Sequence, residues 1–272
     1  MNKSLLVKIL GFPATLIHSD TLVLDRWLWL RRRLWKTANA DALLDVGCGT
    51  GAFSLGAALR GYQTLGLSWD ERNQRVAKER AEICRANSAD FQVLDVRKLD
   101  QRKDLVDKFD VAICCENIEH IVDDFKLMRD IASCLKPGGR LLLTTPNLFY
   151  HEMSPGDKGP FLPIEDGRHV RRGYSKAMLY ELCEAAGLKT EEISFCSGFL
   201  SQKITTFLRL LSRIHPLIGW LLILPFRVFP PIFDPLLTRI IGYQYFSICV
   251  EAYKPRRAIG NLRFLHSGVT NL

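Results

Sequence analysis

Residues Asp45-Val46-Gly47-Cys48-Gly49-Thr50-Gly51 set three glycines at alternating positions directly after the apolar pair Leu43-Leu44. Glycine is needed where a backbone turns sharply and a ligand must approach it closely. An acid on the preceding strand, Asp45, suits ligand hydroxyls or an ammonium group, or orients the amides of the loop itself. The spacing is not the Gly-x-Gly-x-x-Gly of dinucleotide sites, which disfavours a nicotinamide-dependent oxidoreductase. Two further stretches carry chemistry: Glu116-Asn117-Ile118-Glu119-His120, and 165–174 around His169. His120 and His169 are the candidate catalytic residues, because imidazole exchanges a proton near neutral pH. Each has a plainer alternative, a loop-orienting histidine at a helix start for His120 and a solvated charged loop for His169. Glu119 suits holding His120 or a backbone amide. Arg168, Arg171 and Arg172 suit a phosphate or carboxylate on a substrate.

These residues need elements that bring them together. The glycine turn predicts a strand before it and a helix over 52–60 after it, closed by Gly61. Strands are expected at 63–67, 91–94, 110–115 and 140–145, the last entered through Lys136-Pro137-Gly138-Gly139. Amphipathic helices alternate with them, which predicts an α/β doubly wound, mostly parallel sheet with helices on both faces. In such sheets ligands sit beyond the carboxyl ends of the strands, where Ser68, Asp95, Glu116 and His120 all fall. A helix capped by Ser175 and Gly187 follows, then a sixth strand at 189–196. A seventh strand at 245–253 is expected as an antiparallel edge strand.

The order of these motifs over about residues 40–147 resembles the class I S-adenosylmethionine-dependent methyltransferases. The Glu-x-x-Glu-His form at 116–120 and the Lys-Pro-Gly-Gly turn are most similar to the ubiquinone-type O-methyltransferases and their small-molecule relatives. The resemblance implies S-adenosyl-L-methionine as cofactor. Gly47, Cys48, Gly49 and Gly51, with Asp45, would form the loop at the methionine half, whose carboxylate favours a helix N-terminus. Asp95 and Val96 match the pair at the adenine ring, and Glu116 and Asn117 border the methionine moiety. One position departs from the pattern. The usual ribose-binding acid is replaced by Ser68, and Asp70 reads as a helix N-cap. Ser68 is then expected at the ribose and Trp69 against the adenine. A hydroxyl residue at this place also occurs in related lipid enzymes, which favours a lipid substrate.

The chain has 272 residues, a formal net charge of +8 and eight cysteines. The length suits one catalytic domain with appendages. The cysteines form no Cys-x-x-Cys pair and do not cluster with histidine, so they read as buried thiols in a reducing compartment, and no metal site is expected. The charge fits nucleic acid, acidic lipid or solubility alone. Residues 1–39 form a basic-aromatic helical segment in which Trp27, Trp29 and Trp35 alternate with Arg31, Arg32, Arg33 and Lys36. It reads first as a helix packed over the cleft, second as a membrane-interface helix. The catalytic domain is expected over 40–254, and 255–272 reads as a basic tail.

Residues 146–173, rich in proline and glycine, read as a substrate-facing loop. Residues 197–244 replace what is a short loop in similar enzymes. This insert is apolar, punctuated by Pro216, Pro225, Pro230, Pro231 and Pro235, and edged by Lys203, Arg209, Arg213, Arg227 and Arg239 against the single acid Asp234. A helix over 214–226 would span about 20 Å, short of the roughly 30 Å hydrocarbon core. Short broken helices that dock on an anionic membrane surface are expected, with a substrate lid or a dimer contact as alternatives. The resulting expectation is methyl transfer to a small, hydrophobic or lipid-like acceptor, favouring oxygen, by a cytoplasmic, peripherally membrane-associated enzyme. The alternatives are a nucleic-acid methyltransferase, which the missing Asn/Asp-Pro-Pro-Tyr/Phe motif disfavours, and a non-catalytic cofactor-binding scaffold.

Overall fold

A computed structural model describes residues 4–17 and 21–256. The calls on 257–272 of the basic tail lie outside the described residues. Seven strands form one sheet: β1 Ala42–Val46, β2 Gln63–Ser68, β3 Ala89–Val93, β4 Phe109–Cys115, β5 Leu135–Pro146, β6 Lys189–Cys196 and β7 Ser247–Tyr253. Their order is β3-β2-β1-β4-β5-β7-β6. The expected antiparallel strand is β7, which pairs antiparallel with both β5 and β6 and lies second from that margin of the sheet. β5 starts earlier than the sequence pattern indicates. Phe109 pairs with Leu135 and Val111 with Arg140, so the Lys-Pro-Gly-Gly turn is looped out inside the pairing.

The central strands β1, β4 and β5 are buried on both faces, which explains their unbroken apolar runs. Helices α1 Leu5–Leu10, α2 Pro13–Ile17, α3 Thr21–Arg33, α4 Ala52–Ala58 and α5 Glu71–Cys84 precede β3 or cover the glycine-loop side. α6 Asp124–Cys134 and α7 Lys176–Ala185 cover the other strands. Asp70 caps α5 by accepting from the Arg72 amide at 2.8 Å, as its spacing suggests. α3 is a packing helix: Trp27 and Trp29 are buried, and Trp29 Nε1 donates to Ser194 Oγ at 2.9 Å.

The insert between β6 and β7 folds as α8 Phe199–Ser212, α9 Pro216–Ile223, a 3-10 turn Leu224–Val228, and α10 Pro230–Ile241. Among the described residues no single helix is long and apolar enough to cross a membrane, but the segments Pro216–Val228 and Pro230–Ile241 form an apolar pair bent by 75°. The prolines set these breaks.

Candidate active site

The chain leaves β1 through left-handed backbone at Gly47 (φ 82°), Gly49 (φ 54°) and Gly51 (φ 79°). A Cβ on Gly47 would lie 2.6 Å from the Asn117 side chain, and one on Gly51 2.8 Å from the Phe91 ring. Both sites therefore exclude a side chain by conformation and by contact. A Cβ on Gly49 would meet nothing within 4 Å, so this turn faces open space. Asp45 sits beneath the loop, where its carboxylate accepts from Ser54 Oγ at 2.6 Å. Burial pushes its carboxyl up to about 6. Arg80, also buried, donates to Thr50 Oγ1 at 2.8 Å and pins the loop from the α5 side.

In front of the loop lies a cavity of about 510 Å³. Gly47, Gly49, Ser68, Trp69, Asp95, Val96, Glu116, Asn117 and His120 line it, joined by Asn73, Arg97, Ile121 and the loop residues Glu165, Asp166 and Gly167. Asp45, Cys48 and Gly51 do not line it. They support the loop from behind, and Cys48 Sγ accepts from Gln74 at 3.5 Å. Trp69 is 67% exposed at the cavity mouth. Asp95 accepts from the Arg97 amide and side chain, and these bonds hold its carboxyl below the usual range. Arg97 also reaches Glu165 at 2.6 Å, while Glu165 accepts from the Val122 amide at 2.7 Å. The 146–173 loop is thereby tied down across the cleft. Glu116 adopts a left-handed φ of 48° at the end of β4, which turns its side chain toward Arg26 of α3 at 3.0 Å. Thr144 and Ser247 also donate to it, at 3.1 and 3.3 Å.

A second cavity of about 390 Å³ lies beside the first, lined by Tyr150, Asp157, Phe161, Ile164, Arg168 and His169, among others. His120 lines the first cavity and His169 the second, and their rings meet edge to face with centroids 4.6 Å apart. Burial, with His120 beside it, pushes His169 down to about 4, so it is uncharged at neutral pH. Glu119 is fully buried and accepts from Thr145 Oγ1 at 3.1 Å, while its other oxygen lies 4.0 Å from His120 Nε2. Burial and the neighbouring Glu116 charge push its carboxyl well above the usual range. One donor atom each from Glu119, His120 and His169 lies within 4.8 Å of the others, a set able to hold a cation. Residue spacing alone does not show this group, because His169 arrives from a different loop.

The description "Methyltransferase domain" matches residues 23–193. The chain belongs to this methyltransferase-domain family. Its relatives include a protein named ubiquinone biosynthesis O-methyltransferase from Marinobacter nauticus, 36% identical over 38% of this chain and 43% of that protein. Another of the same name from Aeromonas salmonicida is 29% identical over 56% of this chain and 64% of that protein. The matched stretch thus spans roughly half the length of these curated relatives. Among solved structures, phosphoethanolamine N-methyltransferase 2 of Haemonchus contortus with S-adenosyl-L-methionine superposes with TM-score 0.60 at 19% identity, covering 85% of this chain and 52% of that one. The cyclase SpnF gives TM-score 0.60 at 20% identity, covering 87% and 83%. A fold shared by a methyltransferase and a cyclase does not by itself name a reaction.

Within this methyltransferase domain Arg171 and Arg172 are already engaged, which corrects the expectation that they face a substrate anion, whereas Arg168 lines the second cavity. Arg171 binds Asp124 and the carbonyls of Ile121 and Val122, the latter two at 2.8 Å. Arg172 donates to the carbonyls of Leu148 and Tyr150 at 3.1 and 2.9 Å, and Arg168 pairs with Asp166. Arg171 and Arg172 hold the loop in place. Arg26 is a site residue that motif reading missed. Its signal was present, since Leu22, Asp25, Arg26, Trp29 and Leu30 form one buried helical stripe into which two charged residues intrude.

Proposed function

We propose that this methyltransferase domain transfers the methyl group of S-adenosylmethionine to oxygen on a small, lipid-like acceptor at an anionic membrane surface. The observation that carries the reading is the meeting of two cavities at the His120–His169 pair, one lined by the glycine loop and one by the 146–173 loop. The first cavity fits the cofactor. Gly49 leaves open space over the N-terminus of α4, where a carboxylate is favoured, and Glu116 offers a fixed carboxylate to an ammonium group. Ser68 would meet the ribose, and Trp69, Asp95 and Val96 the adenine. When bound, S-adenosylmethionine supplies a methyl group already activated on a sulfonium centre.

The protein's own task is then alignment, exclusion of water and proton removal. His120 faces the cofactor cavity and takes the proton of an acceptor hydroxyl. His169 stays uncharged and packs edge-on against it. Tyr150 and Phe161 give the acceptor cavity apolar walls. Oxygen as the methylated atom is supported by the names of the relatives. Peripheral association with a membrane is supported by the large exposed apolar side chains of the insert, such as Ile214, 82% exposed, and Ile240, 71% exposed.

Incubation with a membrane lipid extract and labelled cofactor, followed by mass identification of the product, tests the acceptor class. His120→Ala is expected to lower turnover about a hundredfold or more while cofactor binding persists. Full turnover in that variant would remove His120 as the base.

A further inference from the structure

The insert contains the largest cavity among those described, and it is separate from the two just discussed. About 800 Å³ lies between α8, the 3-10 turn and α10, with Ile204, Phe207, Phe226, Phe229, Phe233 and Ile240 among its walls. Lys203 is the single charged residue that lines it, and its ammonium sits over the rings of Phe199 and Tyr243 at 5.6 and 5.4 Å. Several wall residues are exposed on their outer side, including Phe207, Phe226, Phe233 and Ile240. The groove therefore opens on the same apolar surface that would face a bilayer.

The groove is held in shape from behind. Asp234 accepts from the amides of Leu200 and Ser201 at 2.7 and 3.2 Å, and so caps α8 from α10. Trp220 Nε1 and Arg227 both donate to the carbonyl of Ile17, at 2.8 and 2.7 Å. These bonds consume the insert's one acid. Lys203 is the one charge in the groove's wall, and Arg213 and Arg239, at the ends of α8 and α10, are exposed and make no ion pair among the described residues, so the insert around the groove is net positive. An apolar slot with a lysine in its wall, in an insert of net positive charge, matches one chemistry, an aliphatic chain attached to an anionic head.

We propose that this groove binds one acyl chain of an anionic phospholipid drawn from the bilayer. The site rests on the membrane reading above and deepens it, because a slot for a single chain does more than an apolar surface resting on lipid. A bilayer lipid fits better than the tail of the methyl acceptor. The opposite face of α8 buries Thr205 against Thr21 of α3 and Gln202 against the carbonyls of Ser197 and Gln244, and the charge of Arg209 on the same helix acts on Tyr150 and His169, so the helix stands between groove and acceptor cavity. A chain entering from the bilayer crosses no water. An acceptor tail would have to pass around α8 to leave its head at His120.

Titration of the whole protein with lysophosphatidylglycerols of increasing chain length, below their micelle concentrations, tests the slot. Saturable one-to-one binding is expected, tightening about fourfold for each added methylene until the chain fills the groove and then levelling off. Lysophosphatidylcholine of the same length should bind several-fold more weakly. Leu236→Trp with Ile240→Trp, which fills the groove, should abolish this binding while vesicle flotation and cofactor binding persist, the latter showing that the variant folds. Absence of saturable binding in the parent, or unchanged binding in the filled variant, overturns the slot. Flotation retained without chain binding removes the slot alone. Chain binding without flotation keeps the slot and removes the membrane reading. Competition between the lysolipid and the methyl acceptor would reassign the groove to the acceptor tail. A dimer that dissociates only in the filled variant would reassign it to self-association.

Discussion

The cleft at the carboxyl ends of the strands and the insert at the far margin of the sheet solve opposite problems. In the cleft, charges are paired: Glu116 with the buried Arg26, and the exposed Arg97 with both Asp95 and Glu165. In the insert, cations outnumber the single acid Asp234, and large apolar side chains stand in solvent for want of anything to cover them. The first arrangement fixes the position of a polar ligand through groups that cannot move without losing a partner. The second fixes little and gains from any low-dielectric partner in proportion to area. One helix belongs to both. From α3, Arg26 reaches Glu116 in the cleft, while Thr21 meets Thr205 of α8 at 3.2 Å. Asp25 lies against Ser201, Ser197 and Asp234 of the insert and its junction.

The comparison breaks most decisively if damage to one region disables the other. Gly49→Val puts a β-branched residue at φ 54° and fills the open space over the loop. Calorimetry should show cofactor affinity reduced at least about a hundredfold, with vesicle flotation unchanged. Arg26→Ala leaves a half-buried carboxylate without its cation. Urea unfolding should show a loss of about 3 kcal/mol, with cofactor affinity falling in parallel. Stability unchanged in that variant would mean that α3 is not part of the cleft. Phe226→Glu with Phe233→Glu places charge on the apolar face. Vesicle flotation should fall roughly tenfold or more, whereas cofactor binding stays at the parental level.

The smallest expected effect concerns the shared helix. Burial pushes Asp25 up to about 7, against an ordinary value of 3.8. An acid whose folded value is raised holds its proton better in the fold than in the unfolded chain, so its destabilising effect is absent below about pH 4. It grows through the interval up to about pH 7 and is complete above it. Asp25→Asn keeps the shape and removes the charge. Thermal melts should show it more stable than the parent at pH 8, by on the order of 1 kcal/mol, and indistinguishable near pH 4. An equal gain at both pH values would mean that the effect is not ionisation of Asp25.

Much of the cleft was legible in the residues because its signals are local. Alternating glycines demand left-handed backbone, Asp70 before Glu71 reads as a cap, and polar residues after apolar runs mark strand ends. What was not legible depends on chain segments meeting from a distance. Arg171 and Arg172 look like an anion site in a linear reading, yet three-dimensional packing supplies each with carbonyls from distant segments, leaving them structural, whereas Arg168, paired with the nearby Asp166, lines the second cavity. Asp45, Cys48 and Gly51 belong to the loop motif, but the turn of the chain sets them behind the cavity rather than in it.

By itself, then, the sequence determined the sheet, the cofactor loop, the helix caps and the presence of an apolar insert broken by proline, all of which follow from periodicity and backbone restriction over a few residues. Only the tertiary structure decided that His169 stands against His120, that Glu116 is held by an arginine from the N-terminal helix, and that the insert's helices leave a groove between them. Those contacts join residues far apart in the chain, and no local propensity encodes a distance that packing alone creates.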